Sequence, residues 1–266
     1  MASNTAVKKT AKTAIKDNAL ACIAAGVVFL FVCLVGVLAM EVVAMVLSSV
    51  AALVFALIFV VAAAFPLYLG LLRFFRRMLW GENDAIVSVF YYFSSKKSFK
   101  SAFLLSWNLV ARTVAAYLIL NIPALVIQAL ASAELYQVLD VAIPVWSSYL
   151  WPLSAFFEIA AVILLVLFML KFYMAPFLFV STENTVTECI DLAQRISNRT
   201  AADYFWFVLS LAGWIVLSVL AVPLVFTLPY FIACYIVYCR FAVAQYNKVV
   251  DSMKNTPPSF EADSGI

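Results

Sequence analysis

Histidine is absent from the chain. That removes the commonest general base and the commonest metal ligand. Glycine is scarce, and no P-loop, dinucleotide fingerprint or H-E-x-x-H pattern occurs, so phosphate-cradling loops and metalloprotease chemistry are not expected. Cys22, Cys33, Cys234 and Cys239 lie in apolar runs and Cys189 in an amphipathic stretch; their spacing is not a zinc pattern, and all five read as free thiols. No metal site, cofactor or catalytic residue is therefore expected. Charge is also in short supply. Only 12% of residues are charged against 67% hydrophobic, whereas soluble domains run at about a quarter and a half. This composition belongs in a bilayer.

What is present is a set of long apolar runs. The tract 19–72 is interrupted only by Glu41 and Ser48–Ser49. At about 1.5 Å per residue it is too long for one crossing, so it reads as two spans with a tight turn between Met40 and Ser49. Ser101–Leu130 is a third run, with Arg112 as its only charge. Trp146–Val180 contains a fourth. Phe205–Tyr246 divides into a fifth and a sixth at a turn marked by Pro223, Thr227 and Pro229. The expected fold class is all-α: a polytopic helical bundle with six transmembrane helices at about 19–41, 48–72, 101–130, 150–172, 205–222 and 226–246, together forming a membrane domain over 19–246. Residues 1–18 are a basic arm, either a surface helix or a frayed tail, and 247–266 a polar tail expected to be disordered. The first run is longer than an ordinary signal core and a second span follows at once, so it reads as a span rather than a cleaved leader.

The cations test this threading. Lys8, Lys9, Lys12 and Lys16 precede span one. Arg73, Arg76, Arg77, Lys96, Lys97 and Lys100 lie between spans two and three, and Arg195 and Arg199 between four and five. The turn after span one, the loop 131–145 and the turn at Pro223 carry no Lys or Arg. Alternate loops are basic, which puts both termini on the cytoplasmic side.

Two connecting segments look like interfacial helices, about 84–99 and 185–197. In the first, Ile86, Val89, Phe90 and Phe93 share a helical face, with Tyr91 and Tyr92 expected at headgroup level; the alternative is a helix packed beneath the bundle. Gly81–Asp84 is expected to cap that helix. In the second, Thr185-x-x-Glu188 is a capping-box pattern, followed by Val186, Cys189, Ile190, Ala193 and Ile196 on one face. Arg73, Arg76, Arg77, Lys96, Lys97 and Lys100 are candidates for binding lipid phosphates at the interface.

Span three is the most polar, with Asn108, Arg112, Thr113, Asn121 and Gln128, so it is expected to face the bundle interior. Pro123 should kink or end it. Counted from Ser101, Arg112 is about 16 Å deep, near the midplane. Glu158 in span four is expected at a similar depth, and the two are expected to pair. Arg112, Glu158, Asn108 and Asn121 form the candidate intramembrane site, read either as a gate or as a structural ion pair. Ser210 and Gly213 in span five would permit close helix packing. Trp146, Tyr149 and Trp151 suit an outer aromatic belt.

The two connecting segments also suggest a parallel internal duplication. Glu82-Asn83 and Glu183-Asn184 open them, Pro123 matches Pro223, and Pro66 matches Pro176. Met174-Ala175-Pro176, Glu183-Asn184, the 190–196 helix, Gly213-Trp214 and Leu228-Pro229-Tyr230 occur in that order, preceded by Tyr68-Leu69-Gly70 through Gly81-Glu82. In these motifs the chain resembles a bacterial multi-pass membrane family filed as domain of unknown function nine-seventy-five. The resemblance implies a helical bundle in the bacterial cytoplasmic membrane and supplies no catalytic residues.

Three functional classes follow. The first is a non-enzymatic transport or lipid-handling component. The second is a structural or regulatory protein that binds a partner through its amphipathic helices. The third, ranked last for want of acid–base residues, is an intramembrane enzyme. Membrane lipids are the expected partners, with a membrane or cytoplasmic protein as a further one. The basic clusters sit at membrane edges, where orientation explains them without nucleic acid.

Overall fold

A computed structural model describes residues 4–82, 84–132, 149–182, 184–218 and 221–255. Its helices are α1 (Asn4–Asp17), α2 (Ala19–Val46), α3 (Ser49–Phe59), α4 (Phe65–Leu79), α5 (Lys96–Ala131), α6 (Leu150–Met169), α7 (Ala175–Ser181), α8 (Val186–Leu209), α9 (Ala212–Ser218) and α10 (Ala221–Asn255). A π-helical turn, Val60–Ala64, joins α3 to α4, and a 3-10 helix, Ile86–Phe93, precedes α5. The described residues form an all-α bundle without strands. Five helices are long and apolar enough to cross a membrane: α2, the continuous Ser49–Leu79 unit, α5, α6 and Leu224–Asp251 within α10. α8 and α9, bent by 58°, would together make a sixth. Trp146, loop residues 133–145, Asn83, Glu183 and the tail from 256 lie outside the described residues.

Several local expectations are corrected, each for a physical reason. α2 passes Glu41 and runs to Val46, because the turn is set by Ser48, whose side chain accepts from the Ala51 amide at 3.1 Å and caps α3. Span two runs past its expected end at 72, and Pro66 sits within it without breaking it. A proline lacks an N–H and crowds the carbonyl four residues back, and the π turn just before it takes up that crowding, so the helix continues to Leu79. Likewise α5 continues through Pro123 to Ala131. Thr227 and Pro229 lie inside α10 rather than in a turn.

Gly81 and Glu82 close α4 rather than starting the next helix. The Glu82 amide donates to the Arg77 carbonyl at 3.0 Å and the Gly81 amide to Met78 at 3.0 Å. This Schellman pattern needs the left-handed φ of +79° that Gly81 supplies. Ser95 caps the following helix instead, accepting from the Ser98 amide. As a result 84–99 is not one interfacial helix, and Lys96, Lys97 and Lys100 belong to α5. The 3-10 helix repeats every three residues and turns Val89 and Tyr92 inward, leaving Phe90 and Phe93 exposed. It packs tightly on α4 at Gly70, where a Cβ would land on the Val89 carbonyl. Gly213, by contrast, has none of the described residues within 4 Å of the position a Cβ would take, so it makes no close helix contact with them.

The second amphipathic segment and span five are not separate. The Thr185–Glu188 capping box forms, and α8 then runs unbroken to Leu209. Its face of Cys189, Ile190, Ala193 and Ile196 is buried within the protein rather than laid on lipid. The N-terminal arm is a helix whose Val7 and Ala11 are buried, packed along α10.

The core sits at one end of the bundle. Leu69 and Phe75 of α4, Leu105 of α5, Met174, Ile196 of α8 and Ile236 of α10 are fully buried there. Of the spans, only α10 has half of its apolar stretch buried (50%) among the described residues, against 11% for α6, so α10 is the central helix and α6 the least buried.

Candidate functional site

The expected intramembrane site is not assembled. α5 and α6 pack antiparallel in a register that sets Thr113 on Met169 at 3.0 Å and Gln128 on Glu158, whose carboxylate accepts from the Gln128 amide. In that register the Arg112 guanidinium lies over the Phe172 ring, 5.5 Å from its centroid, just past the end of α6. Sixteen residues separate the levels of Arg112 and Gln128, or about 24 Å at helical rise. Arg112 and Glu158 therefore occupy opposite ends of the helix pair and do not pair with each other. Asn108 donates back to the Leu104 carbonyl at 2.9 Å, and Asn121 is buried with its amide nitrogen unpartnered among the described residues. The expected pairing failed because the two levels were counted separately along each helix, whereas the end of α6, at Met169, stands opposite Thr113 and leaves Glu158 eleven residues away along its helix.

The second set of candidates does converge. Arg73, Arg76 and Arg77 stand on the last two turns of α4, where cations suit the negative helix end. Opposite them are Tyr91 of the 3-10 helix, Lys97, Ser98 and Ser101 of α5, and Ser181 and Thr182 at the end of α7. Together they enclose a cleft of about 620 Å³. A second lobe of about 470 Å³ shares Arg76, Arg77, Ser181 and Thr182 and reaches Trp80 and Arg240 of α10. Lys96 and Lys100 are exposed on α5 and line neither lobe.

Each cation is held differently. Arg77 is neutralised by Glu82 at 2.8 Å and Asp84 at 3.2 Å. Arg76 donates to the Val180 carbonyl at 2.8 Å and so fastens α4 to α7. Arg73 lies flat on Tyr91, 3.4 Å from the ring centroid, and Arg240 stacks on Trp80 at 4.8 Å. Hydrogen bonding and charge from Arg73 lower the Tyr91 phenol from its ordinary value, while burial pushes Tyr92 up to about 12. Among the described residues the only ion pairs are those of Arg77. Glu82, which lines both lobes, is held by Arg77, so among the described residues Arg73, Arg76, Lys97 and Arg240 present positive charge to the lobes without an ion-paired carboxylate. Stacking and the Val180 bond fix guanidinium orientation and leave N–H groups free, an arrangement suited to an anion with several acceptor oxygens.

No family model, curated protein or solved structure matches this chain.

Among the described residues no group of three or more Cys, Asp or Glu side chains could hold a metal ion. All five cysteines are free. Sequence reading missed Arg240 as a member of the cleft, although its place at the end of the sixth apolar run set it at the same edge as Arg76. It also missed a cluster of tyrosines under the bundle. Tyr173 stacks on Tyr204 with centroids 4.0 Å apart, and Tyr238 stacks on Phe207 at 4.9 Å. These residues come from three separated segments, and no spacing in the sequence links them.

Proposed function

We propose that this membrane protein binds anionic amphiphiles at its basic end, acting as a non-enzymatic transport or lipid-handling component of the bacterial cytoplasmic membrane. The observation that carries this reading is the two-lobed cleft itself: Arg73, Arg76 and Lys97 line one lobe, Arg76 and Arg240 the adjoining one, and among the described residues the one carboxylate that lines them, Glu82, is taken up by Arg77. The cleft lies where α4, α5 and α10 leave their most apolar stretches, the height at which a lipid in the same leaflet presents its headgroup. The alternation of basic and neutral loops supports a cytoplasmic position for this end and for both termini. The family resemblance supports the bacterial membrane.

The test is native mass spectrometry after reconstitution with phosphatidylglycerol or phosphatidylcholine, on wild type and on Lys97→Gln/Arg240→Gln. Both substitutions leave the Arg76–Val180 bond in place. Retained phosphatidylglycerol should fall about tenfold in the double variant, the loss expected from partly solvated charge-assisted contacts. Phosphatidylcholine should not change. Equal retention of phosphatidylglycerol by both proteins would remove the support for this reading, and a co-purifying protein would favour the partner-binding class.

A further inference from the structure

A separate cavity of about 610 Å³ lies between α6 on one side and α8, α9 and α10 on the other. It shares no lining residue with the basic cleft. Its volume is in the range of ligand pockets, about 300–1,000 Å³. Among the described residues no charged side chain lines it: twelve of its sixteen residues are apolar and the other four are tyrosines.

The tyrosines form one end. Tyr173 follows α6, Tyr204 precedes Phe207 on α8 and Tyr235 follows Ile232 on α10, so all three lie on the side toward the basic end, joined by Tyr68 of α4. Two hydroxyls are already engaged. That of Tyr173 meets Thr200 Oγ1 at 2.8 Å, and that of Tyr235 donates to the Tyr173 carbonyl at 2.6 Å. The hydroxyls of Tyr68 and Tyr204 have no hydrogen-bond partner among the described residues, and both side chains are partly exposed. Among the described residues the opposite end is open. α6 packs along α5 and stands off from α9 and α10, and the rim residues Val166 and Ile215 are 49% and 45% exposed. That exposure lies within apolar helices, so the mouth faces hydrocarbon.

We propose that this chamber takes from the bilayer a single hydrocarbon chain ending in an uncharged hydrogen-bonding group, such as a hydroxyl or carbonyl. The head lies against Tyr68 and Tyr204, and the chain runs past Val208 and Leu211 toward the mouth. An ionised head would be desolvated there with no opposite charge to meet it. A bare alkane would leave both free phenols unpaired. The inference does not rest on the anionic-lipid reading, since the two sites differ in charge and in every lining residue.

The experiment uses the full chain in nanodiscs and a hexadecanol probe with a photoreactive diazirine in its chain, with labelled peptides mapped by mass spectrometry. Label should fall on peptides from α6 and α8–α10. On wild type, unlabelled hexadecanol should compete at least about tenfold better than hexadecyl phosphate or hexadecane, the discrimination expected when a polar group is mispaired. Tyr204→Phe keeps the ring and should weaken labelling about fivefold, one neutral hydrogen bond's worth. Val208→Trp should fill the chamber and abolish labelling there. Lys97→Gln/Arg240→Gln should label as wild type does, which separates this site from the cleft whichever way the cleft experiment falls. Labelling elsewhere in the chain, or competition by hexadecyl phosphate equal to hexadecanol, overturns the proposal. Equal competition by hexadecane, or unchanged labelling of Tyr204→Phe, overturns the assignment of the head group.

Discussion

Replacing Gly70 with alanine tests the closest packing in the molecule. The added Cβ would meet the carbonyl of Val89, a backbone atom that cannot swing aside as a side chain can. Overpacking of this kind costs about 1–3 kcal/mol, and a backbone obstacle belongs at the upper end. The alanine regains about 1 kcal/mol of helix propensity. Relief by lifting the 3-10 helix away would uncover Val89 and Tyr92, now 0% and 6% exposed, at about 1.5–3 kcal/mol each, so strain and not undocking is the cheaper outcome. The net loss is about 2 kcal/mol, or about 4–8 °C in melting temperature for a chain of this size. Tryptophan-fluorescence melting in mild detergent measures it, and amide hydrogen exchange over 86–93 reports whether the 3-10 helix has loosened. Two further glycines calibrate the result. At Gly36 the obstacle is the Phe59 ring, which can rotate, so alanine there should cost less; at Gly213 the space is open and alanine should be neutral or stabilising. A Gly70→Ala protein that melts within about 1 °C of wild type with unchanged exchange would refute the close approach.

Three other predictions follow from the same geometry. Arg112→Leu and Glu158→Leu should be additive within about 0.5 kcal/mol, because their contacts are with Phe172 and Gln128 and not with each other; a coupling above about 1 kcal/mol would contradict the α5–α6 register. Lys8 donates to the Ser210 carbonyl at 2.8 Å, at the bend between α8 and α9, so Lys8→Met should lower stability by about 1 kcal/mol, read as a melting shift, and Lys8→Arg should recover part of it. Ultraviolet titration should find Tyr91 among the first phenols to ionise and Tyr92 near pH 12, with Tyr91→Phe deleting the early step. Because folding lowers the pKa of Tyr91, its stabilising contribution is present above the ordinary tyrosine value and lost as pH falls; that of Tyr92 is present below the ordinary value and lost as pH rises through about 12.

The long-range plan was legible where one physical signal dominates. Runs such as 19–46 can only be buried in hydrocarbon or protein, and Arg73, Arg76, Arg77 and Lys97 had to gather at a polar edge. The Thr185–Glu188 box was legible because both halves of a cap lie within four residues. What failed depended on tertiary contacts. The level of Arg112 relative to Glu158 is set by the fit of α5 against α6, which hydropathy does not measure. Spacing by three suits both 3-10 and α-helices, and it was Gly70, sixteen residues away on another helix, that admitted the tighter form at Ile86–Phe93. The tyrosine chamber is built from four segments, so nothing local in the chain announces it.

The position of the core has a consequence for how the protein is made. Its buried residues come from α1, α2, α4, the 3-10 helix, α5, α7, α8 and α10, and α1 lies against α10, the first described helix against the last. Each span can enter the bilayer as it leaves the ribosome, but the interior cannot close until α10, the helix around which it is organised, has been synthesised. Until then the parts of α4 and α8 that α10 covers stay open, although the contacts of α4 with the 3-10 helix, α5 and α7 can already form. The nascent chain therefore passes through a long interval in which it is inserted but not assembled, and a chain truncated before residue 221 would remain in that state, a substrate for membrane proteases rather than a smaller working protein.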